Sequence, residues 1–143
     1  RAGRLKAIGV SNFNASRYEA FLRACTVIPA VNQVEAHIFF QQRGLLEEMK
    51  KHGTHMQAWS PFAAGKNDFF SNPVLRALGL AHNKTPAQIA LKYLVQLGIS
   101  VIPKSSHRER MRENLGIFDF QLPDEDMQRI RTLDGGKTLF GWY

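Results

Sequence analysis

A chain of 143 residues with 44% hydrophobic and 22% charged residues is long enough to bury one core, so residues 1–143 are treated as one domain. No apolar run approaches the roughly 20 residues that span a membrane, and no segment resembles a signal peptide, which indicates a soluble protein without a membrane partner. The net charge of +7 fits an anionic ligand or a basic surface as well as nucleic acid. Cys25 is the single cysteine, so no intramolecular disulfide forms and a reducing, cytoplasmic setting is expected.

Strand-like and helix-like segments alternate along the first part of the chain. Residues 5–10 are typical of a short buried strand, and residues 15–24 of an amphipathic helix. A second strand over 30–35 precedes a helix over 41–52, and a third strand at 55–59 enters a loose loop. The pattern predicts repeated strand-then-helix units.

The second half of the chain contains two N-cap residues that are followed directly by proline, a pair that predicts helix starts. Its predicted helices and strand are, in order, 73–81, 86–97, a strand at 99–103, 108–115, and a last helix that starts at Pro123 with acidic residues in its first turn. The tail, defined as residues 135–143, has no periodicity.

Successive strand-plus-helix units predict parallel strands that are joined by right-handed crossovers, and hence an α/β sheet. A closed (β/α)8 barrel, the TIM barrel, typically needs about 250 residues and eight strands. This chain of 143 residues has four predicted strands. Half of a barrel is therefore expected.

Lys104, Ser105 and Arg110 follow the fourth predicted strand, where a loop leads into a helix. Free backbone N–H groups and the positive end of a helix dipole favour phosphate at such a place. A lysine point charge and an arginine fork suit a phosphate monoester better than a carboxylate. An isolated Arg-rich turn is more often a solvated helix face, but the position directly after a buried strand favours a ligand site.

Polar side chains also end two earlier strands, where (β/α) folds place ligand groups. Ser11, Asn12 and Gln33 occupy these ends, and the amides of Asn and Gln pair well with a primary amide ligand. Asn12 or Gln33 alone is better explained as a turn or strand-end residue that is satisfied by backbone, but their occurrence in successive units favours a ligand site. Trp59 at the third strand end is, alone, more typical of core packing.

Together these residues carry a resemblance to the aldo-keto reductases, NADPH-dependent enzymes built on a (β/α)8 barrel. The chain is similar to the family's fifth-strand motif at residues 9–13, its sixth-strand motif at 31–35 and its seventh-strand end at 58–61. It is similar to the family's adenosine 2′-phosphate clamp at residues 102–114. The resemblance identifies the four units as the C-terminal half of the barrel. Trp59 and residues 118–120 and 141–143 are most similar to the bacterial branch that includes 2,5-diketo-gluconate reductases.

The resemblance implies a role for each candidate residue. Ser11, Asn12 and Gln33 would bind the nicotinamide carboxamide, and Trp59 would stack on the nicotinamide ring. The other implied NADPH-binding residues are Ser60, Phe62, Lys104, Ser105, Arg110, Glu113 and Asn114. Trp142 would contact the substrate. Residues 62–65 depart from the family's usual sequence, so the loop over the pyrophosphate is expected to differ in shape.

The activity implied by the resemblance is reversible reduction of aldehydes and ketones, including keto sugar acids, to alcohols. The family's catalytic Asp, Tyr, Lys and His lie in its N-terminal half, which precedes Arg1, so no catalytic residue is expected here and the chain alone is expected to be inactive. Its expected partners are a small carbonyl substrate and either the missing half or a second copy. None of the five histidines shows convincing metal-ligand spacing.

Two alternative functions from other classes of protein stay open. One is a non-catalytic nucleotide-binding half-barrel that acts by association through its open sheet edge. The other is a basic nucleic-acid-binding domain, which is disfavoured because the Arg-rich helix lacks the interleaved exposed aromatics of single-strand binders.

Overall fold

The structure is a computed structural model that describes residues 3–142, so Arg1, Ala2 and the predicted tail residue Tyr143 lie outside it. Its strands form one sheet, with all three pairings parallel and in chain order. The strands are β1 (Gly9–Ser11), β2 (Val31–Glu35), β3 (His55–Trp59) and β4 (Ser100–Val101). Parallel strands joined by helices confirm the predicted α/β half-barrel.

The helices lie close to their predicted positions. They are α1 (Ala15–Ala24), α2 (Arg43–Lys51), α3 (Pro73–His82), α4 (Pro86–Gln96), α5 (Arg108–Leu115) and α6 (Asp124–Arg131). The Asn72 side chain accepts hydrogen bonds from the first-turn N–H groups of α3, and Thr85 forms a capping box with Gln88 at the start of α4. These caps fix the starts of both helices because they satisfy donors that have no partner inside the helix.

The first and fourth strands are shorter than predicted. β1 begins at Gly9 rather than at residue 5, and Leu5 is 74% exposed instead of buried. Within residues 3–142 β1 pairs with β2 alone. The apolar residues before Gly9 therefore have, in this range, no second strand that would extend β1 or bury their side chains. β4 ends before Pro103, which has no N–H to donate to a ladder. Helix α2 begins at Arg43 because Gln42 adopts a left-handed φ of 50°.

The loop after β3 is packed rather than loose. It contains two short 3₁₀ turns, Ala63–Gly65 and Phe69–Ser71. The Phe69 side chain is fully buried, and its ring centroid lies 5.8 Å from that of Phe62 and 6.0 Å from that of Phe39. Aromatic packing therefore orders a segment that has no regular hydrophobic period.

The two faces of the sheet differ. On one face Val34, Met56 and Ala58 are buried in the core shared with the helices. Gln33 and Gln57 occupy alternate positions on the same two strands, and their side chains are half-buried on the other face. Since side chains alternate along a strand, Gln33 and Gln57 share this second face, whereas Asn32 is buried on the core face with Val34. No helix within residues 3–142 is long and apolar enough to cross a membrane.

Candidate nucleotide-binding site

A row of polar side chains crosses the open face of the sheet. The strand register places Ser11, Gln33, Gln57 and Ser100 side by side. Gln33 Nε2 donates to Gln57 Oε1 at 2.6 Å, and Gln57 Nε2 donates to Ser100 Oγ at 3.5 Å. Ser11 Oγ donates to the backbone carbonyl of Gln33 at 3.0 Å. The structure thus brings the predicted residues Ser11 and Gln33 together.

Asn12 connects this row to Trp59. Its backbone N–H donates to the Gln33 carbonyl at 2.9 Å, and its Oδ1 accepts from Trp59 Nε1 at 2.8 Å. Asn12 has φ 55°, in the left-handed region that asparagine tolerates better than most residues. This backbone geometry turns the side chain across the sheet and fixes the indole ring. Ser60, directly after Trp59, also has a left-handed φ of 52° and begins the loop.

A cleft of about 520 Å³ lies where the β3 loop, the start of α4 and the start of α5 meet. Six of the predicted cofactor residues line this cleft, namely Phe62, Lys104, Ser105, Arg110, Glu113 and Asn114. Within the described range, neither Lys104 nor Arg110 has an ion-pair partner, whereas Lys84 nearby is paired with Asp119 at 2.7 Å. Two uncompensated cations at one cleft suit a multiply charged anion.

Local hydrogen bonds shape the walls of the cleft. Ser105 Oγ accepts from the His107 N–H at 3.1 Å, just before α5 begins. Thr85 Oγ1 donates to Glu113 Oε1 at 2.5 Å, which joins the start of α4 to α5. The carboxylate of Glu113 is therefore held in place by a hydroxyl, and it faces the cleft without cancelling the charge of Arg110 by an ion pair.

Sequence reasoning missed Gln57 and Thr85 as members of these two sites. Gln57 stands two residues before Trp59 on the same strand, so strand alternation could have placed both on one face. Thr85 was predicted only as a helix cap. Its second role, as donor to Glu113, depends on how α4 and α5 pack, which no local pattern contains.

The tail approaches the sheet beside Trp59. The Phe140 and Trp142 ring centroids lie 5.3 Å and 5.8 Å from that of Trp59. Trp142 is 66% exposed. The predicted substrate residue and the predicted nicotinamide platform are thus neighbours, and together with Phe140 they form an aromatic surface.

The tyrosines of the described helices face away from this surface into the core. Tyr18 and Tyr93 are 0% and 2% exposed, and burial raises the pKa of Tyr93 to about 12. The Tyr93 hydroxyl donates to Gln41 Oε1 at 2.7 Å. Neither tyrosine is placed to donate a proton to a ligand. Across residues 3–142 no three His, Cys, Asp or Glu side chains form a group that could hold a metal ion.

Comparison with known proteins gives a consistent result. A model of the aldo/keto reductase family matches residues 1–134. Aldose reductase B of Dictyostelium discoideum is 44% identical over 132 residues, which are 92% of this chain and 42% of that protein. The crystal structure of MGS-M4, an aldo-keto reductase from a Medee basin deep-sea metagenome library, superposes with a TM-score of 0.92 at 39% identity, over 96% of this chain and 51% of that one.

A silkworm (Bombyx mori) aldo-keto reductase complexed with NADPH superposes with a TM-score of 0.87 at 39% identity, over 93% of this chain and 43% of that one. The chain spans about half the length of the curated relatives it matches. Its four strands therefore correspond to part of a (β/α)8 barrel. From the family match over residues 1–134 and these superpositions, we conclude that the chain belongs to the aldo/keto reductase family.

Proposed function

We propose that residues 1–143 are the cofactor-binding half of an NADPH-dependent reductase that converts aldehydes and ketones, including keto sugar acids, to alcohols. The observation that carries this proposal is the pair of unpaired cations, Lys104 and Arg110, at the 520 Å³ cleft. A relative that is named an aldose reductase supports a sugar carbonyl as substrate.

The donor set of the cleft fits a phosphorylated adenosine. Lys104 and Arg110 offer charge-assisted hydrogen bonds to the dianionic 2′-phosphate, and the Ser105 hydroxyl adds a neutral partner. Glu113 and Asn114 line the same cleft and offer acceptors and an amide to the adenosine. Phe62 lines the cleft from the loop after β3.

The hydrogen bonds on the sheet determine how an amide would bind there. Asn12 Oδ1 already accepts from Trp59, which leaves its Nδ2 to donate to a carboxamide oxygen. Gln33 Nε2 already donates to Gln57, which leaves its Oε1 to accept from the carboxamide NH₂. Ser11 lies beside Gln33, and the Trp59 ring is held where it can stack on a flat ring. NADPH, when bound, supplies hydride for carbonyl reduction.

Reduction also needs a proton for the carbonyl oxygen, and the described residues offer no tyrosine hydroxyl near Trp59. We therefore propose that the catalytic Asp, Tyr, Lys and His are supplied by an N-terminal half of the barrel. Leu5 at the β1 edge and Phe118 beside β4 are 74% and 70% exposed, which supports association along both edges. A second copy is the alternative partner, and a reducing, cytoplasmic setting for Cys25 stays a prediction.

The test is a calorimetric titration of the full native polypeptide with NADPH and with two fragments, adenosine 2′,5′-bisphosphate and adenosine 5′-monophosphate. The bisphosphate should bind more tightly than the monophosphate by about a hundredfold, since two charge-assisted contacts are worth a few kcal/mol. Equal affinity for both fragments would remove the cleft as a 2′-phosphate site. Binding of NADPH without reduction of any aldehyde would favour the non-catalytic nucleotide-binding module.

A further inference from the structure

A buried carboxylate at the end of β2 holds the tail. Glu35 is fully buried, and its Oε1 accepts from the backbone N–H of Leu139 at 2.7 Å. Its Oε2 accepts from the Thr138 hydroxyl. The contact joins residues about a hundred positions apart, so the end of the chain is fixed to the strand that carries Gln33.

Thr138 shapes the turn that follows. Its Oγ1 accepts from the backbone N–H groups of Phe140 and Gly141 at 3.1 Å and 2.8 Å while its hydroxyl proton goes to Glu35. One hydroxyl thus satisfies two backbone donors and one buried acceptor. Gly141 has φ 67°, which lets the chain reverse before Trp142.

Glu35 has a further buried neighbour. Nε2 of His37 lies 3.1 Å from Glu35 Oε1, and burial lowers the pKa of His37. A neutral His37 with its proton on Nε2 donates to the carboxylate, so donors from His37, Thr138 and Leu139 converge on Glu35. Buried carboxylates are costly unless hydrogen-bonded, so the two donors from the tail stabilise Glu35 in its buried position.

Lys66 holds the tail from the opposite side. Its Nζ donates to the Leu139 carbonyl at 2.8 Å and lies 4.2 Å from the centroid of the Phe140 ring. Both a hydrogen bond and a cation–π contact therefore tie the loop after β3 to the tail. The same loop carries Phe62, which lines the cofactor cleft.

We infer that Glu35 and Lys66 are positioning residues that hold the tail so that Trp142 lies beside Trp59 and completes the substrate wall. The inference rests on the proposed function for its effect on reduction, although the anchoring itself does not depend on a cofactor. Trp142 is largely exposed, and within the described residues its ring contacts that of Trp59, so its position depends on how the residues before it are held. Lys66 thus links the loop after β3 to the tail that carries Trp142, and Glu35 links β2 to the same tail.

The first experiment reads the position of Trp142 without any cofactor. The full native polypeptide is labelled with 5-fluorotryptophan, and the ¹⁹F resonance of Trp142 is identified by its loss in Trp142→Phe. Thr138→Val and Lys66→Met should each move that resonance toward the value of free 5-fluorotryptophan, because the ring leaves Trp59. Matched controls are Thr132→Val, at an exposed threonine on α6's end, and Lys137→Met, at an exposed lysine within the tail; both should leave the resonance in place.

Glu35→Gln is the direct test of the buried anchor, and it carries the risk of unfolding. Thr138→Val keeps the inference testable in that case, because it removes the hydroxyl donor from the tail and leaves the Glu35 carboxylate with its Leu139 and His37 donors. An unchanged Trp142 resonance in both Thr138→Val and Lys66→Met, with the ¹H spectrum still dispersed, would overturn the inference.

The second experiment measures steady-state reduction by the active protein. Thr138→Val should raise the KM for the carbonyl substrate by about tenfold, because the hydroxyl that joins the turn before Trp142 to charged Glu35 is lost, with kcat and NADPH affinity nearly unchanged. A merely structural role would lower kcat and NADPH affinity as well. If no reduction is seen in the unsubstituted protein, the proposed function fails, and the ¹⁹F result still decides the anchoring.

Discussion

Gln33 on β2 and Gln57 on β3 face each other in the parallel register, with 2.6 Å between Gln33 Nε2 and Gln57 Oε1. The contact uses Gln33 Nε2 and leaves Gln33 Oε1 as the acceptor that the proposed function assigns to the carboxamide. Gln57 is thus expected to influence cofactor binding by orienting Gln33.

Gln57→Leu should weaken NADPH and NADH binding alike, by about tenfold, because the nicotinamide end is common to both and Gln33 loses the partner that orients it. Calorimetric titration with each cofactor measures the loss. Gln121→Leu, at an exposed glutamine with no hydrogen bond across the sheet, is the control. A loss of affinity for NADPH alone would contradict the assignment of Gln57 to the nicotinamide end.

Arg110→Ala should reduce the preference for NADPH by about tenfold and leave NADH binding nearly unchanged, because only NADPH carries the 2′-phosphate. Arg112→Ala, a substitution on the same helix outside the cleft, should alter neither affinity. An equal loss for both cofactors in Arg110→Ala would contradict the assignment of the clamp.

Residues 1–143 alone should not reduce carbonyl substrates. A missing general acid costs on the order of 10²–10⁴-fold, and the loss of the walls that orient the substrate adds to this. The measurement is NADPH oxidation with an aldehyde, before and after addition of the N-terminal half as a separate chain. Turnover by the pure chain near the usual enzyme range, roughly 1–10³ per second, would refute this prediction.

The same chain alone should be dimeric, aggregated or loosely packed. Leu115 and Phe118, beside β4, are each 70% exposed, and Leu5, at the β1 edge, is 74% exposed. Unpaired edge strands with apolar neighbours favour association. Analytical ultracentrifugation with thermal unfolding checks this, and a monomer with one sharp transition would show a self-sufficient domain. Adding the N-terminal half should restore a compact barrel.

His37 should make the stability of the complemented assembly depend on pH. Burial lowers the pKa of His37 in the folded state, so below about 6.5 the unfolded chain binds more protons and stability falls as pH falls. The slope reaches at most about 1.4 kcal/mol per pH unit and ends at the folded-state pKa. Urea midpoints at several pH values should show a smaller slope in His37→Gln, while His55→Gln, at an exposed position, should behave as the unsubstituted protein does.

Local signals in the sequence were enough for the order of elements. Proline after an N-cap marked the starts of α3 and α4, and helical spacing of apolar residues marked α1, because these features depend on contacts within a few residues. Strand bounds were less predictable. The exposed Leu5 shows that a strand's length depends on its neighbour and not on its own apolar residues.

The candidate site likewise has residues that the sequence predicts and contacts that only the tertiary structure shows. The sequence by itself identified the residue types, such as Lys104 and Arg110 after a strand, because parallel strands bring their carboxyl ends to one edge. Only the tertiary structure showed that Gln57 orients Gln33 and that Glu35 holds Thr138, because these pairs join residues that are far apart in the chain. Their contacts are set by strand register and by how the tail folds back, and neither of these is encoded in a local pattern.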